Sequence, residues 1–390
     1  MRSRQGRARL GAISALLACA PAGAAALANP GALPAPAAGS AFAQALEPRR
    51  FDFPRDHGPH PDFRQEWWYV TGNLDAADGE RFGFELTFFR FALSPPGAPS
   101  AASAAAAAGP RSAWRAREIY MAHFAITDLA QGRFRFAQQL ERAALGLAGA
   151  QAQPLRVWVD DWWLAGAGAV DSPAGPPWKL HAAQALYELE LELTPQVAPV
   201  LNGAAGLSRK ADEPTAASYY YSVPRLAVSG QLRRGGTALA VHGEAWLDRE
   251  WGSGGLGARQ VGWDWFALQL NDGSTLMFYA LRRRDGGEDP HSGGTWMAAS
   301  GETRALRAAE VSIEVEREWR NARGERYPGG WRIRVPSLAL DVEVAPVLAD
   351  QELGTTPRYW EGAVDVSGAR AGEHIGGRGY VELVGYAQER

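Results

Sequence analysis

Three short stretches of the chain set carboxylic acids among indole and phenol rings. The first runs His60-Pro61-Asp62-Phe63-Arg64-Gln65-Glu66-Trp67-Trp68-Tyr69-Val70-Thr71-Gly72-Asn73. The second is Trp246-Leu247-Asp248-Arg249-Glu250-Trp251-Gly252, and the third is Gly262-Trp263-Asp264-Trp265-Phe266. An acid packed against aromatic surface loses hydration, so its neutral, proton-donating form persists to higher pH. A general acid needs that property, and Asp264 and Glu66 are the two candidates. Each also has a structural reading. Glu66 could pair with Arg64, Arg249 or Arg259 across a seam, and Asp264 could cap the entry of a strand.

Further polar groups sit among apolar ones in Tyr219-Tyr220-Tyr221-Ser222, in Met121-Ala122-His123-Phe124-Ala125 and in Tyr359-Trp360-Glu361. His123 alternates with Met121 and Ala125, the spacing of a hydrogen-bonded core histidine or of a polar mark on a cavity wall. Other chemistries lack their residues. There is no Walker-type phosphate loop, no G-x-G-x-x-G after a strand, no H-E-x-x-H and no nucleophile elbow. His57 and His60 stand three apart without a carboxylate set to complete a metal shell. The expectation is therefore no cofactor and no metal. With 40 Lys and Arg against 43 Asp and Glu, a formal charge of -3 offers no basic field for nucleic acid. Fifteen tryptophans suit a wide β core or an apolar cavity with a few polar marks.

The elements that must position these groups are strands. Phe82, Phe84, Leu86 and Phe88 alternate with Gly83, Glu85, Thr87 and Phe89; Tyr187, Leu189, Leu191 and Leu193 alternate with Glu188, Glu190, Glu192 and Thr194. Period two also marks 312–320 and 331–335, so these segments read as strands with one face on a core. Asn271-Asp272-Gly273-Ser274 reads as a hairpin turn, and so does Leu74 to Gly79. Val228-Ser229-Gly230 returns as Val366-Ser367-Gly368, each followed shortly by a second β-rich segment. The spacing fits one domain following another of similar build. The expected fold is all-β, with two antiparallel barrels in succession and few helices. The expected domains are 48–255 and 256–390.

The chain opens with a targeting segment over 1–28: four arginines, then an uncharged run from Leu10 to Ala18 too short to span a bilayer. Residues 29–47 read as a linker. Leu16-Leu17-Ala18-Cys19 resembles a lipoprotein cleavage box, which would anchor the chain to a membrane through a lipidated Cys19. The rival is ordinary cleavage after Ala43 or Ala45. Either way the protein is expected to be exported to the periplasm. The sequence gives no indication of an oligomeric state.

Taken together, the His60-Pro61-Asp62-Phe63 opening, Glu66-Trp67-Trp68-Tyr69, Ala122-His123-Phe124, Tyr220-Tyr221-Ser222, Leu247-Asp248-Arg249-Glu250-Trp251-Gly252, Trp263-Asp264-Trp265-Phe266 and Gly379-Tyr380-Val381-Glu382-Leu383 resemble the AttH and carotenoid 1,2-hydratase (hydroxyneurosporene synthase) family. The resemblance runs from about residue 48 to 388 and implies two lipocalin-like barrels packed together. It also implies an apolar small-molecule partner, a terpenoid, carotenoid or lipid, and cofactor-free addition of water across a double bond. Asp264, then Glu66, would be the proton donor. Tyr69, His123, Tyr221, Trp246, Asp248, Glu250, Trp251, Trp263 and Trp265 would shape the pocket. The hydratases carry an Asp-His-Asn-Trp turn where this chain has Asp248-Arg249-Glu250-Trp251. A non-catalytic lipid carrier, or an accessory lipoprotein of an export system, is the other function the resemblance allows.

Overall fold

The protein is described by a computed structural model over residues 42–96, 116–167 and 175–387. The stretch read as a targeting segment, Cys19 and most of the Ala/Pro/Ser-rich stretch from Ser94 to Pro110 lie outside the described residues.

The first sheet is formed by Gln65–Ala76 (β1), Arg81–Ala92 (β2), Glu118–Asp128 (β3), Arg133–Arg142 (β4), Ala148–Ala152 (β5), Leu155–Val159 (β6) and Trp162–Gly166 (β7). It continues with Trp178–Gln184 (β8), Tyr187–Pro195 (β9), Val200–Leu201 (β10), Leu207–Arg209 (β11), Ala217–Arg234 (β12) and Thr237–Gly252 (β13). The second sheet contains Gln260–Leu270 (β14), Thr275–Arg283 (β15), Gly293–Met297 (β16), Thr303–Arg307 (β17) and Ser312–Arg320 (β18). Arg326–Val335 (β19), Leu340–Pro346 (β20), Glu352–Leu353 (β21), Tyr359–Arg370 (β22) and Glu373–Val384 (β23) complete it. Every pairing is antiparallel, and the helical content among the described residues is confined to single 3-10 turns. The all-β expectation holds.

Both sheets follow one plan. The first is ordered β4-β3-β2-β1-β13-β12-β9-β8-β7-β6-β5 and the second β17-β16-β15-β14-β23-β22-β20-β19-β18. In each, the last strand pairs with the first (β13 with β1, β23 with β14), and the two edge strands follow one another in the chain. The first sheet curls nearly into a barrel and the second into a half-barrel. The repeated triplets occupy equivalent places: Val228-Ser229-Gly230 in β12 and Val366-Ser367-Gly368 in β22 both precede the closing hairpin. Their glycines lie against a neighbouring backbone. A Cβ on Gly230 would stand 2.2 Å from the Glu190 carbonyl oxygen, and one on Gly368 would stand 2.2 Å from that of Asp341.

The cores lie where the alternation puts them. Trp68, Phe84, Leu86, Phe88, Phe124, Trp162, Trp178, Tyr221 and Trp251 fill the first barrel. Phe266, Leu268, Trp331, Ile333, Val342, Trp360 and Leu383 fill the second. The opposite faces of β1, β2 and β3 pack on those of β14, β22 and β23, and Gly83 permits the contact. A Cβ there would stand 2.6 Å from that of Ala363. Thus the central strands are buried on both faces.

Candidate functional site

The interior of the first barrel is occupied by its own aromatic side chains, so the open space lies between the sheets. A cleft partly open to solvent is bounded by the outward faces of β1, β2, β12 and β13 from the first sheet, by those of β14, β15 and β23 from the second, and by residues 254–256. Period two builds it. On β1, Trp67 and Tyr69 face the cleft while Glu66 and Trp68 face the barrel core. On β13, Asp248 and Glu250 face it, and Arg249 and Trp251 point inward. Trp263 and Trp265 of β14 face it, Asp264 does not, and Glu382 of β23 enters from the second sheet. Register sets neighbours side by side: Tyr69 opposite Asp248, and Trp265 opposite Glu382.

Asp248 lies at the inner end of the cleft. Its Oδ1 accepts from Ser222 Oγ at 2.5 Å and Trp246 Nε1 at 2.6 Å, and its Oδ2 accepts from the Tyr220 hydroxyl. Tyr220 in turn receives the Trp265 indole N–H at 3.1 Å. Among the described residues Asp248 forms no ion pair. Burial pushes it up to about 7 against the pull of Ser222, Tyr220 and Trp246, with the Glu250 charge adding to the rise. Glu382 is half-buried and accepts the Trp263 indole N–H on Oε2 at 2.8 Å. Burial likewise pushes it up to about 7, opposed by that hydrogen bond and reinforced by Asp248 and Glu250. Lys210, from the segment that follows β11, closes one end. Its Nζ lies 3.2 Å from Glu250 Oε1, donates to Ser208 Oγ at 2.9 Å and sits 4.3 Å from the Tyr279 ring centre. Burial opposes its charge, but Glu250 and Tyr279 outweigh it and keep Lys210 protonated. The other walls are apolar or aromatic: Trp67, Phe89, Leu256, Trp263, Trp265 and Leu281.

Of the residues marked in the sequence, the structure brings Tyr69, Asp248, Glu250, Trp263 and Trp265 to the cleft. Trp246 lies behind Asp248. His123 lies deeper between the sheets, its Nδ1 2.6 Å from the hydroxyl of Tyr359, and burial lowers it to about 3, so the ring is neutral. Four lie elsewhere. Tyr221 and Trp251 are inside the first barrel, where the Trp251 ring stacks on His60 at 3.7 Å and the Tyr221 hydroxyl lies 2.6 Å from His57 Nδ1. Glu66 is fully buried there. Arg90 donates to its Oε1, Arg249 Nη2 lies 2.9 Å from its Oε2, and His60 approaches at 3.2 Å. Burial alone would raise Glu66, but Arg90, His60 and Arg249 overcome it and hold the carboxyl well below the usual range. Such an acid keeps no proton to give. Asp264 points into the second barrel, 3.0 Å from Arg282 Nε and from the Tyr386 hydroxyl. Burial lifts it to about 6 against Arg282 and Tyr386, yet it does not line the cleft.

Trp67, Lys210, Tyr220, Tyr279 and Glu382 are cleft residues that the sequence did not assign to the site. Parity could have found three of them, since Trp67 lies two residues from Tyr69 and so on its face. Tyr220 lies one residue from Tyr221 and so on the other face, and Glu382 shares a face with Tyr380. Lys210 comes from an irregular segment that carries no periodic signal.

The model of the AttH-like family matches residues 44–386. A crystal structure of an AttH protein from Nitrosomonas europaea is 35% identical, with a TM-score of 0.75 over 89% of this chain and all of that one. Kievitone hydratase from Nectria haematococca shares the fold at 16% identity and a TM-score of 0.64, over 88% of this chain and 96% of that one. Dehydratase asqC of Emericella nidulans is 24% identical over 216 residues, covering 48% of this chain and 55% of that protein. The chain thus spans about half the length of this curated relative.

Proposed function

This chain belongs to the AttH-like family, and from that premise we propose that it holds a long apolar ligand in the cleft between its sheets and adds or removes water there without a cofactor. The observation that carries this reading is the pair Asp248 and Glu382. Both are carboxyls that line an indole-walled cleft, both are raised to about 7, and neither is tied to a cation among the described residues. A pair of acids poised near neutrality suits proton donation and proton acceptance in one site.

The roles differ with the number of donors. Asp248 accepts three hydrogen bonds, which favour its anion, whereas Glu382 accepts one and keeps its other oxygen free for the ligand. Glu382 is therefore the acid. Its proton passes to one carbon of a double bond, whose π electrons form the new C–H bond and leave positive charge on the neighbouring carbon. The faces of Trp67 and Trp265 are placed to stabilise that charge. A water oxygen then bonds to the cationic carbon, and its surplus proton goes to Asp248. The reverse sequence expels water, the direction carried by the dehydratase name of one relative. The ligand's oxygen function would lie toward Lys210, Ser218 and Glu250, and its hydrocarbon body along Trp67, Phe89 and Leu281. The leader read in the sequence places this chemistry outside the cytoplasm as part of the same proposal.

The test is to extract the purified protein with organic solvent, identify what it carries by mass spectrometry, and return that compound to the protein in ¹⁸O-labelled water. Label in an alcohol product, or loss of water from an extracted alcohol to give the alkene, supports the reading. A tightly held lipid that never exchanges oxygen would make the protein a carrier.

A further inference from the structure

Behind the cleft lies a layer of polar groups that the proposed reaction does not yet use. Glu85 on β2 and Glu361 on β22 are completely buried between the sheets. Both carboxyl oxygens of Glu85, and Oε1 of Glu361, lack a hydrogen-bond partner among the described residues. Glu361 Oε2 accepts the Tyr69 hydroxyl at 2.9 Å, and Tyr69 itself lines the cleft. Glu361 stands directly opposite Glu382 across β22 and β23. Residues so paired have Cβ atoms about 4.5–5.5 Å apart, where two negative charges repel.

The groups facing this layer supply no compensating cation. They are Tyr69 and Thr87 from the first sheet, His123, Tyr359 and Tyr380 deeper in the seam, and Asp248 and Glu250 at the cleft. His123 is neutral, and Lys210 is engaged by Glu250. No ion pair joins Glu85, Glu361 or Glu382 to an arginine or lysine among the described residues. A buried carboxylate with no cation and at most one hydroxyl donor is too poorly solvated to persist, so such a group keeps its proton.

We propose that Glu85 and Glu361 remain uncharged at neutral pH, and that Glu361 is a positioning residue for Glu382, turning its O–H toward the cleft acid whenever Glu382 is ionised. This rests on the reading of Glu382 as the proton donor. The pair then shares one proton between facing oxygens. Glu361 steadies the Glu382 anion left after donation, and Tyr69 fixes the far oxygen of Glu361. Burial is the leading influence on Glu85 and Glu361, and both carboxyls are raised well above their ordinary range.

Infrared spectroscopy of the ligand-free protein tests this without any turnover. At pH 9 the wild type should retain the C=O band of protonated carboxyls, and E85Q and E361Q should each remove part of it. The band lost in E382Q, followed against pH, reports the Glu382 midpoint. In an E361Q background that midpoint should stay level or rise, because a strong donor to the anion has been replaced by a weaker amide. An ionised Glu361 predicts the opposite sign: its removal would drop the midpoint by a pH unit or more. That drop, a band that persists unchanged in both variants, or the absence of any carboxyl band from the wild type at pH 9 would overturn the proposal. The wild-type spectrum alone decides the first half should a variant fail to fold. Loss of turnover in E382Q is a separate readout and bears only on the catalytic reading.

Discussion

The Trp263 indole N–H donates to Glu382 Oε2 at 2.8 Å, joining two residues that both line the cleft and belong to neighbouring strands of the second sheet. One oxygen of the carboxyl is thereby fixed. The donor is itself a wall of the pocket, so a ligand that moves this ring also moves the acid. By contrast, Glu66 is held by two arginines and a histidine in the other barrel.

Glu66→Ala should destabilise the protein by about 3–5 kcal/mol, because Arg90 and Arg249 would be left buried without their carboxylate. Urea denaturation at pH 7 measures this. Whatever folded fraction remains should bind ligand normally, since Glu66 does not border the cleft.

Asp264→Asn should cost roughly 1–3 kcal/mol through its lost pairing with Arg282 and leave cleft chemistry within a few-fold of wild type. Paired thermal melts and oxygen-exchange assays would check it. Loss of exchange in a well-folded D264N protein would restore Asp264 as the acid.

These two cases mark what was legible in the sequence. Period two gave the strands, the hairpin at Asn271-Asp272-Gly273-Ser274 and the membership of each face, so Trp67 with Tyr69 and Trp263 with Trp265 could be grouped correctly. It could not say which face met a barrel core and which met the other sheet, because in β1, β2, β13 and β14 both faces are buried. Glu66 and Asp264 were singled out for their aromatic neighbours in sequence, yet neighbours in a strand point the opposite way. Glu85 alternates with Phe84 and Leu86, and only the second sheet, which the local pattern does not reveal, buries its face. Lys210 depends on a segment whose path only the folded chain defines.

Gly83→Val should loosen the contact between the sheets. The new Cβ would meet Ala363 at 2.6 Å, and such overpacking costs about 1–3 kcal/mol. The expected result is a lower Tm together with weakened ligand binding, although residue 83 touches no ligand space. Unchanged stability would mean that the seam is more yielding than its packing indicates.

Stability should fall as pH rises from about 5 to 8. Burial raises Asp248 and Glu382 to about 7 in the folded state from ordinary values of 3.8 and 4.5, so the folded state binds their protons more tightly, and Asp264, raised to about 6, acts in the same sense over the lower part of this range. Their contribution is complete below the unfolded values and is lost as pH passes through 7. Glu66 acts in the opposite sense, its contribution fading only in acid as its carboxylate is protonated. D248N and E382Q should each flatten the decline between pH 5 and 8 in a series of thermal melts. A decline equally steep in both variants would locate the titrating groups elsewhere.

The most direct test is Glu382→Gln, assayed in deuterated water with the compound extracted from the protein and read by mass spectrometry. The substitution keeps the shape of the side chain and removes its transferable proton, an interaction needed only at the transition state. Wild-type protein should place deuterium at the reacting carbon and E382Q roughly a hundredfold less or below, with ligand affinity within about threefold by tryptophan quenching. Deuterium incorporated by E382Q as fast as by wild type would contradict the assignment of Glu382 as the acid.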